Sequence, residues 1–266
     1  MENLNLTAQN INIIGNFLSR RDIPALTKEA LKNKYGIEKA DIIILFGGSI
    51  IHGWDVAAEA FKSGLAEKML ISGGIGHTTS ELCNVISEKY PEIKAENRAE
   101  SDIIADYFQL KYNISNPLIE NQSTNCGNNV TFALNTLKTN SISPENIIII
   151  QDSTMQQRMD ATFRLVLKNS NINIINFAPY IARVKAGNNC LSFEKPYFTG
   201  MWSMKKYINL LMGEIPRLAD NENGYGPKGK NFIASVNIPE EVLKAFDYLK
   251  KYYSSYIRTA DKRFQS

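Results

Sequence analysis

Between residues 41 and 178 the apolar positions alternate between two spacings. Short β-branched or apolar runs at 41–46, 68–71, 117–120, 147–150 and 173–177 read as strands, the clearest being the consecutive isoleucines at 147–150. Between these runs, apolar residues return at helical spacing. Ala57, Ala60, Phe61 and Gly64 follow the first run, and 81–89 continues as a helix until Tyr90-Pro91. Ile103, Ile104, Tyr107 and Phe108 form the next stripe, then Val130, Ala133, Leu134 and Leu137, then Met159, Thr162, Phe163 and Val166. Strands alternating with amphipathic helices predict an α/β fold with a parallel sheet covered on both faces.

Two segments fall outside this alternation. Residues 1–38 read as a helical extension, with Ile11, Ile14 and Leu18 on one helix face. The α/β core is expected over 39–180, and a helical cap over 181–266. After Pro179 comes a loop, then a helix presenting Met204, Tyr207, Ile208 and Leu211 together. A Gly-, Pro- and acid-rich loop fills 213–229, and a last helix from Pro239 turns Val242, Ala245, Phe246 and Leu249 inward. The two chain ends are expected to pack together as that cap, with separate flanking of the sheet as the alternative.

Four strand ends break into small polar residues and glycines: Gly47-Gly48-Ser49, Ser72-Gly73-Gly74-Ile75-Gly76-His77, Asn121-Gln122-Ser123-Thr124-Asn125, and Gln151-Asp152-Ser153-Thr154. In a parallel sheet all four lie along the carboxyl edge, where ligands bind. Glycines there let the backbone approach a ligand, and the N–H groups of the following helix favour an anion. Gly47, Gly48, Gly73, Gly74 and Gly76 are therefore candidate ligand-binding positions. Ser49 either donates to that ligand or caps the next helix. The third junction, running on to Asn128 and Asn129, is dense in neutral hydrogen-bonding groups, which suits a ribose, base or amino-acid moiety. Ser123 or Thr124 as a helix cap accounts for one of these residues, not for Asn125 and Asn128 as well. Cys126 has no histidine near it in sequence and reads as a packing residue.

At the fourth junction Asp152 either holds a ligand hydroxyl or a metal, acts as a general base, or caps the helix; Thr154 stands beside it. Arg158 lies in the first turns of that helix, a poor place for a cation unless an anion is nearby. Arg98 and Glu100 stand where a loop enters a helix. Glu100 complements the helix dipole there, and the two either pair or face the site as anion anchor and acid/base. His77 is the candidate for proton transfer near neutral pH, while His52 is expected at the surface. Glu100, Asp152 and His77 form the candidate catalytic set. The dinucleotide G-x-G-x-x-G, the zinc H-E-x-x-H and the nucleophile elbow G-x-S-x-G are all missing, so standard NAD, zinc and serine-hydrolase readings are disfavoured.

Composition narrows the function classes. The 266 residues suffice for one large core with a small second lobe. A net charge of +3, without a basic cluster interleaved with aromatics, argues against nucleic acid. The sequence shows neither a membrane-spanning apolar run nor a secretory pattern at its start. Cys83, Cys126 and Cys190 are odd in number and form no C-x-x-C, which suits a reducing cytoplasm.

These junctions resemble the YdcF-like branch of the SanA/YdcF family of bacterial proteins, known as domain of unknown function 218. The resemblance rests on Ser72–His77 as quoted above, on Arg98-Ala99-Glu100, and on Glu120-Asn121-Gln122-Ser123-Thr124-Asn125-Cys126-Gly127. It continues in Gln151-Asp152-x-Thr154-Met155-Gln156-x-Arg158, with Ala161-Thr162-Phe163-Arg164 behind it. Gly213-Glu214-x-Pro216-Arg217-Leu218 and Gly224-Tyr225-Gly226-Pro227-x-Gly229 complete it. The resemblance implies a Rossmann-like three-layer α/β/α sandwich with a mostly parallel sheet. It also implies a nucleotide-type ligand, S-adenosylmethionine being the one usually proposed, while the wider family is associated with envelope biogenesis. Two positions depart from the wider pattern: Met155 stands in place of a histidine and Asn128 in place of an acid. Chemistry that depends on those two groups is not expected to carry over.

The leading expectation is a binding protein, or a transferase, for a small molecule such as S-adenosylmethionine, with no metal. The alternatives are a hydrolase or transferase acting on a phosphorylated envelope precursor, anchored by Arg98, Arg158 and Arg164, or a non-catalytic regulatory protein.

Overall fold

The computed structural model describes residues 2–76, 79–194 and 197–257. Two N-terminal helices, α1 (Leu4–Leu18) and α2 (Lys28–Tyr35), precede β1 (Ala40–Phe46), α3 (Ile51–Lys62), β2 (Ala66–Ser72), α4 (Thr79–Lys89) and α5 (Glu100–Tyr112). Then come β3 (Leu118–Glu120), α6 (Cys126–Thr139), β4 (Asn146–Ile150), α7 (Gln156–Val166) and β5 (Asn173–Asn176). The C-terminal part contains β6 (Val184–Gly187), β7 (Cys190–Phe193), α8 (Met204–Leu218), α9 (Glu240–Tyr253) and a single 3-10 turn at Ser254–Tyr256.

Among the described residues, β1 to β5 form one parallel sheet in the order β3-β2-β1-β4-β5. Side chains along a strand alternate between faces, so Ile43 and Leu45 of β1 pack under α3 and α5, with Trp54, Ile104 and Tyr107. Ile42, Ile44 and Phe46 point the other way, to Val130, Ala133, Met159 and Phe163 of α6 and α7. Both faces are buried, which is why β1 and β4 read as unbroken apolar runs. The result is a three-layer α/β/α Rossmann-like fold. The chain runs outward from β1 to β3, then crosses back to β4 on the other side of β1. The strand order therefore reverses between β1 and β4, opening a crevice at their carboxyl ends.

A second core joins α1, α8 and α9. Ile11, Ile14 and Leu18 are fully buried against Tyr207, Leu211 and Leu249, each worth roughly 1.5–3 kcal/mol relative to exposure. Asn3 caps α1 through the Leu6 N–H, and Ser203 caps α8 through the Lys206 N–H. The N-terminal segment is shared between the two cores, since Leu31 of α2 packs with the sheet rather than with the cap.

Two expectations for the C-terminal part are corrected: α8 runs on through Pro216 to Leu218, so the loop expected over 213–229 begins only after it, and a hairpin precedes α8. Where a plain loop was expected after Pro179, β6 and β7 pair as an antiparallel hairpin. Its two-residue turn is Asn188-Asn189, with φ of 46° and 62°. Positive φ at both central positions is the backbone of a type I′ turn, which asparagine tolerates. No helix among the described residues is long and apolar enough to cross a membrane.

Candidate functional site

The carboxyl ends of β1, β2 and β3 are stitched together by backbone hydrogen bonds. The Gly47 N–H donates to the Ser72 carbonyl (2.8 Å), the Gly73 N–H to the Glu120 carbonyl (2.9 Å) and the Gly74 N–H to the Ser123 carbonyl (3.1 Å). Two of these glycines are required by close approach. A Cβ on Gly47 would collide with Glu100 Oε2 and stand 3.0 Å from Glu100 Cβ, and one on Gly74 would run into the Ser123 and Asn121 carbonyls.

Glu100 is the group on which these turns converge. It opens α5, whose N-cap, Ala99, has no side chain to accept from the first amides. The Glu100 and Ser101 N–H groups donate instead to the Gly74 and Gly73 carbonyls, at 3.2 and 2.8 Å. The Glu100 side chain is 95% enclosed, being 5% exposed. Its Oε1 accepts from Thr79 Oγ1 (2.9 Å), which accepts in turn from the Gly76 N–H (2.8 Å). The N-terminus of α5 favours negative charge at this position. Ser123 is buried beside it, its hydroxyl oxygen also within reach of the Gly74 N–H (3.3 Å). Gly47, Gly73, Gly74, Gly76, Glu100 and Ser123 thus lie together at this edge; His77 lies outside the described residues.

The other carboxylates of this edge serve structure. Glu120 Oε1 accepts from the Gln122 and Ser123 N–H groups, and Oε2 from Ser72 Oγ at 2.7 Å, shaping the third junction. Asp152 Oδ1 accepts from the Thr154 N–H and hydroxyl, and Oδ2 from Tyr180 Oη (2.8 Å) and Trp202 Nε1 (3.1 Å). Burial, reinforced by the neighbouring Asp152, pushes the Tyr180 hydroxyl well above its usual range, so it remains a donor. With four donors in place, Asp152 is a knot that fastens the chain after β4 to the segment before α8. Thr154 belongs to that knot. Asn125 caps α6 by accepting from the Asn128 N–H at 3.0 Å, while Thr124 is exposed.

The arginines are also committed. Arg158 makes a bidentate pair with Glu214, at 2.6 and 3.0 Å, with both side chains largely buried. The anion its helix position called for is thus supplied by α8 of the same chain. Arg98 does not face Glu100 but binds Asp106 (2.6 Å) and the Lys94 carbonyl. Arg164 pairs with Asp160 at 2.8 Å. Cys126 is buried behind Arg158, and burial pushes its thiol up, away from nucleophile chemistry.

Two expectations are corrected around β1. Ser49 does not cap α3: the N-cap is Ile50, with no side-chain bond. The Ser49 hydroxyl is 1% exposed and has no hydrogen-bond partner, and Ser101 Oγ, beside Glu100, has none either. An orphaned buried hydroxyl costs about 1–3 kcal/mol, and two of them lie at this edge. His52 is not at the surface. It is half-buried and stacked on Phe198, with ring centroids 4.4 Å apart, and burial pushes its pKa down against the pull of Asp55 and Glu59. Phe198 and Trp202 come from a segment that carries no glycine-rich or charged signature, and Thr79 looks like any helix-start threonine. Nothing in the sequence singles them out. No cluster of three or more His, Cys, Asp or Glu that could hold a metal occurs among the described residues.

No family model matches the chain. The functional reading therefore rests on the geometry of this edge.

Proposed function

We propose that this chain binds a small polar ligand of nucleotide type, with S-adenosylmethionine as the leading candidate, at the carboxyl edge of the sheet beside the β1 and β2 turns. The observation that carries the reading is that Gly47 and Thr79 meet at the buried Glu100 carboxyl group, whose backbone N–H is held by the Gly74 carbonyl. A carboxylate held there accepts from ribose hydroxyls or attracts a cationic centre. Charge narrows the choice. Arg98, Arg158 and Arg164 are each paired with a carboxylate of this chain, so the reading with arginines anchoring a phosphorylated substrate loses its anchors. A ligand of low or positive net charge fits better, and the sulfonium of S-adenosylmethionine is such a centre. The free thiols Cys83, Cys126 and Cys190 are in keeping with a cytoplasmic setting.

Calorimetric titration with S-adenosylmethionine and with its demethylated, neutral-sulfur product tests this. The sulfonium form is expected to bind more tightly, and Glu100→Gln to weaken it by about tenfold or more while narrowing the gap between the two ligands. Absence of both heat and thermal shift at millimolar ligand removes the reading.

A further inference from the structure

Residues 197–203 cross the carboxyl edge as a strap between the hairpin and α8. The Phe198 ring lies on His52 and 5.4 Å from the Tyr180 ring. The Thr199 carbonyl accepts from the Ile51 N–H at 3.2 Å. Gly200, at φ +79°, leaves no room for a side chain against the Ser49 carbonyl. Trp202 Nε1 ties the far end to Asp152, and just beyond, Lys206 of α8 reaches Glu81 of α4 at 3.0 Å.

The strap occupies a chemically specific position. Ile51 is the first residue of α3, a helix with no side-chain cap, and it follows the first strand of the sheet. An uncapped helix N-terminus at that turn attracts anions, and the polar group found on it is a carbonyl oxygen of the strap. One residue before the N-cap, the Ser49 hydroxyl is buried without a partner. The Thr199 carbonyl answers the Ile51 N–H and no group answers the Ser49 hydroxyl; a carboxylate brings two oxygens to such a pair of donors.

We propose that the strap is a built-in plug: the Thr199 carbonyl holds the place at the α3 N-terminus that a carboxylate of the ligand takes, and the ligand enters as residues 197–203 lift from the Ser49 turn. The plug rests on the ligand reading above for its purpose, but its motion can be measured without any ligand. In a Cys83→Ser/Cys190→Ser background, Ser49→Cys places a thiol beneath the strap. Cys126, 8% exposed in the core on the opposite sheet face, remains as an internal reference. A small aromatic disulfide reagent is expected to label the introduced thiol faster than Cys126. Trp202→Phe and, separately, Phe198→Ala are each expected to speed that labelling about tenfold with Cys126 unchanged. Equal rates at the two thiols, or no acceleration in either variant, overturn the strap as a moving part.

Titration with S-adenosylmethionine completes the test with native Ser49 in place. The plug requires that the two strap variants bind this ligand several-fold more tightly than the parent, because they remove its competitor. Equal affinity in parent and variants overturns the plug. No binding in any of them counts against the ligand reading, and the labelling rates still decide whether the strap moves.

Discussion

Gly47 and Gly74 both lack side chains because something already fills the space, but the occupants differ in how far they can yield. At Gly47 the obstacle is the Glu100 side chain, and at Gly74 it is the backbone of the third junction, including the Ser123 carbonyl and the Asn121 carbonyl at 2.9 Å. A carboxylate can rotate, whereas a carbonyl held by its own hydrogen bonds cannot. Gly47→Ala is therefore expected to cost about 1 kcal/mol in urea unfolding while displacing Glu100 and weakening the ligand. Gly74→Ala is expected to cost roughly 2–3 kcal/mol. Equal losses in the two variants would show that Glu100 is as rigidly held as backbone. The glycines themselves were legible in the sequence as a post-strand cluster. What each of them touches was not, because Glu100 and Ser123 come from elements far along the chain.

At the scale of elements, α7 and α8 are joined by the buried Arg158–Glu214 pair, with Arg217 of α8 at 3.6 Å. Removing one member leaves the other charge in a site with little water, so Glu214→Met is expected to cost about 3–5 kcal/mol. The double replacement Arg158→Met/Glu214→Met is expected to recover most of that loss. A thermodynamic cycle from denaturant unfolding measures the coupling directly. The strand and helix periods, and the four polar junctions, were readable because local spacing determines which face a residue presents. Arg158 was legible as a cation in need of an anion, but its partner lies 56 positions away, and spacing carries no information about pairings at that distance. The β6–β7 hairpin shows a different limit. Its Asn-Asn turn is local, yet Val184–Gly187 and Cys190–Phe193 are too short and mixed in polarity to announce strands.

Besides the Arg158–Glu214 pair, two further attachments join the sheet to the cap among the described residues, and they are chemically distinct. The Asp152 knot and the strap fasten the carboxyl edge to α8. Residues 20–22 fasten the end of α1 to α7 and β5: Arg20 pairs with Asp160 of α7 (2.7 Å) and with Asp22 (3.1 Å), and Asp22 in turn accepts from Asn176 of β5. Apolar packing holds the cap itself together, with α1 at its centre, so a cavity in α1 acts on the cap before it acts on the sheet. Ile14→Ala removes a fully buried side chain and is expected to cost about 2–5 kcal/mol. Native-state hydrogen exchange should show this cost concentrated in α8 and α9, whose amides lose protection, while those of β1 and β4 remain the slowest in the chain. The strap, anchored at one end to α8, should exchange faster in the same variant. If protection falls equally across β1, β4, α8 and α9, cap and sheet unfold as one unit. The cap then could not loosen while the crevice stays formed.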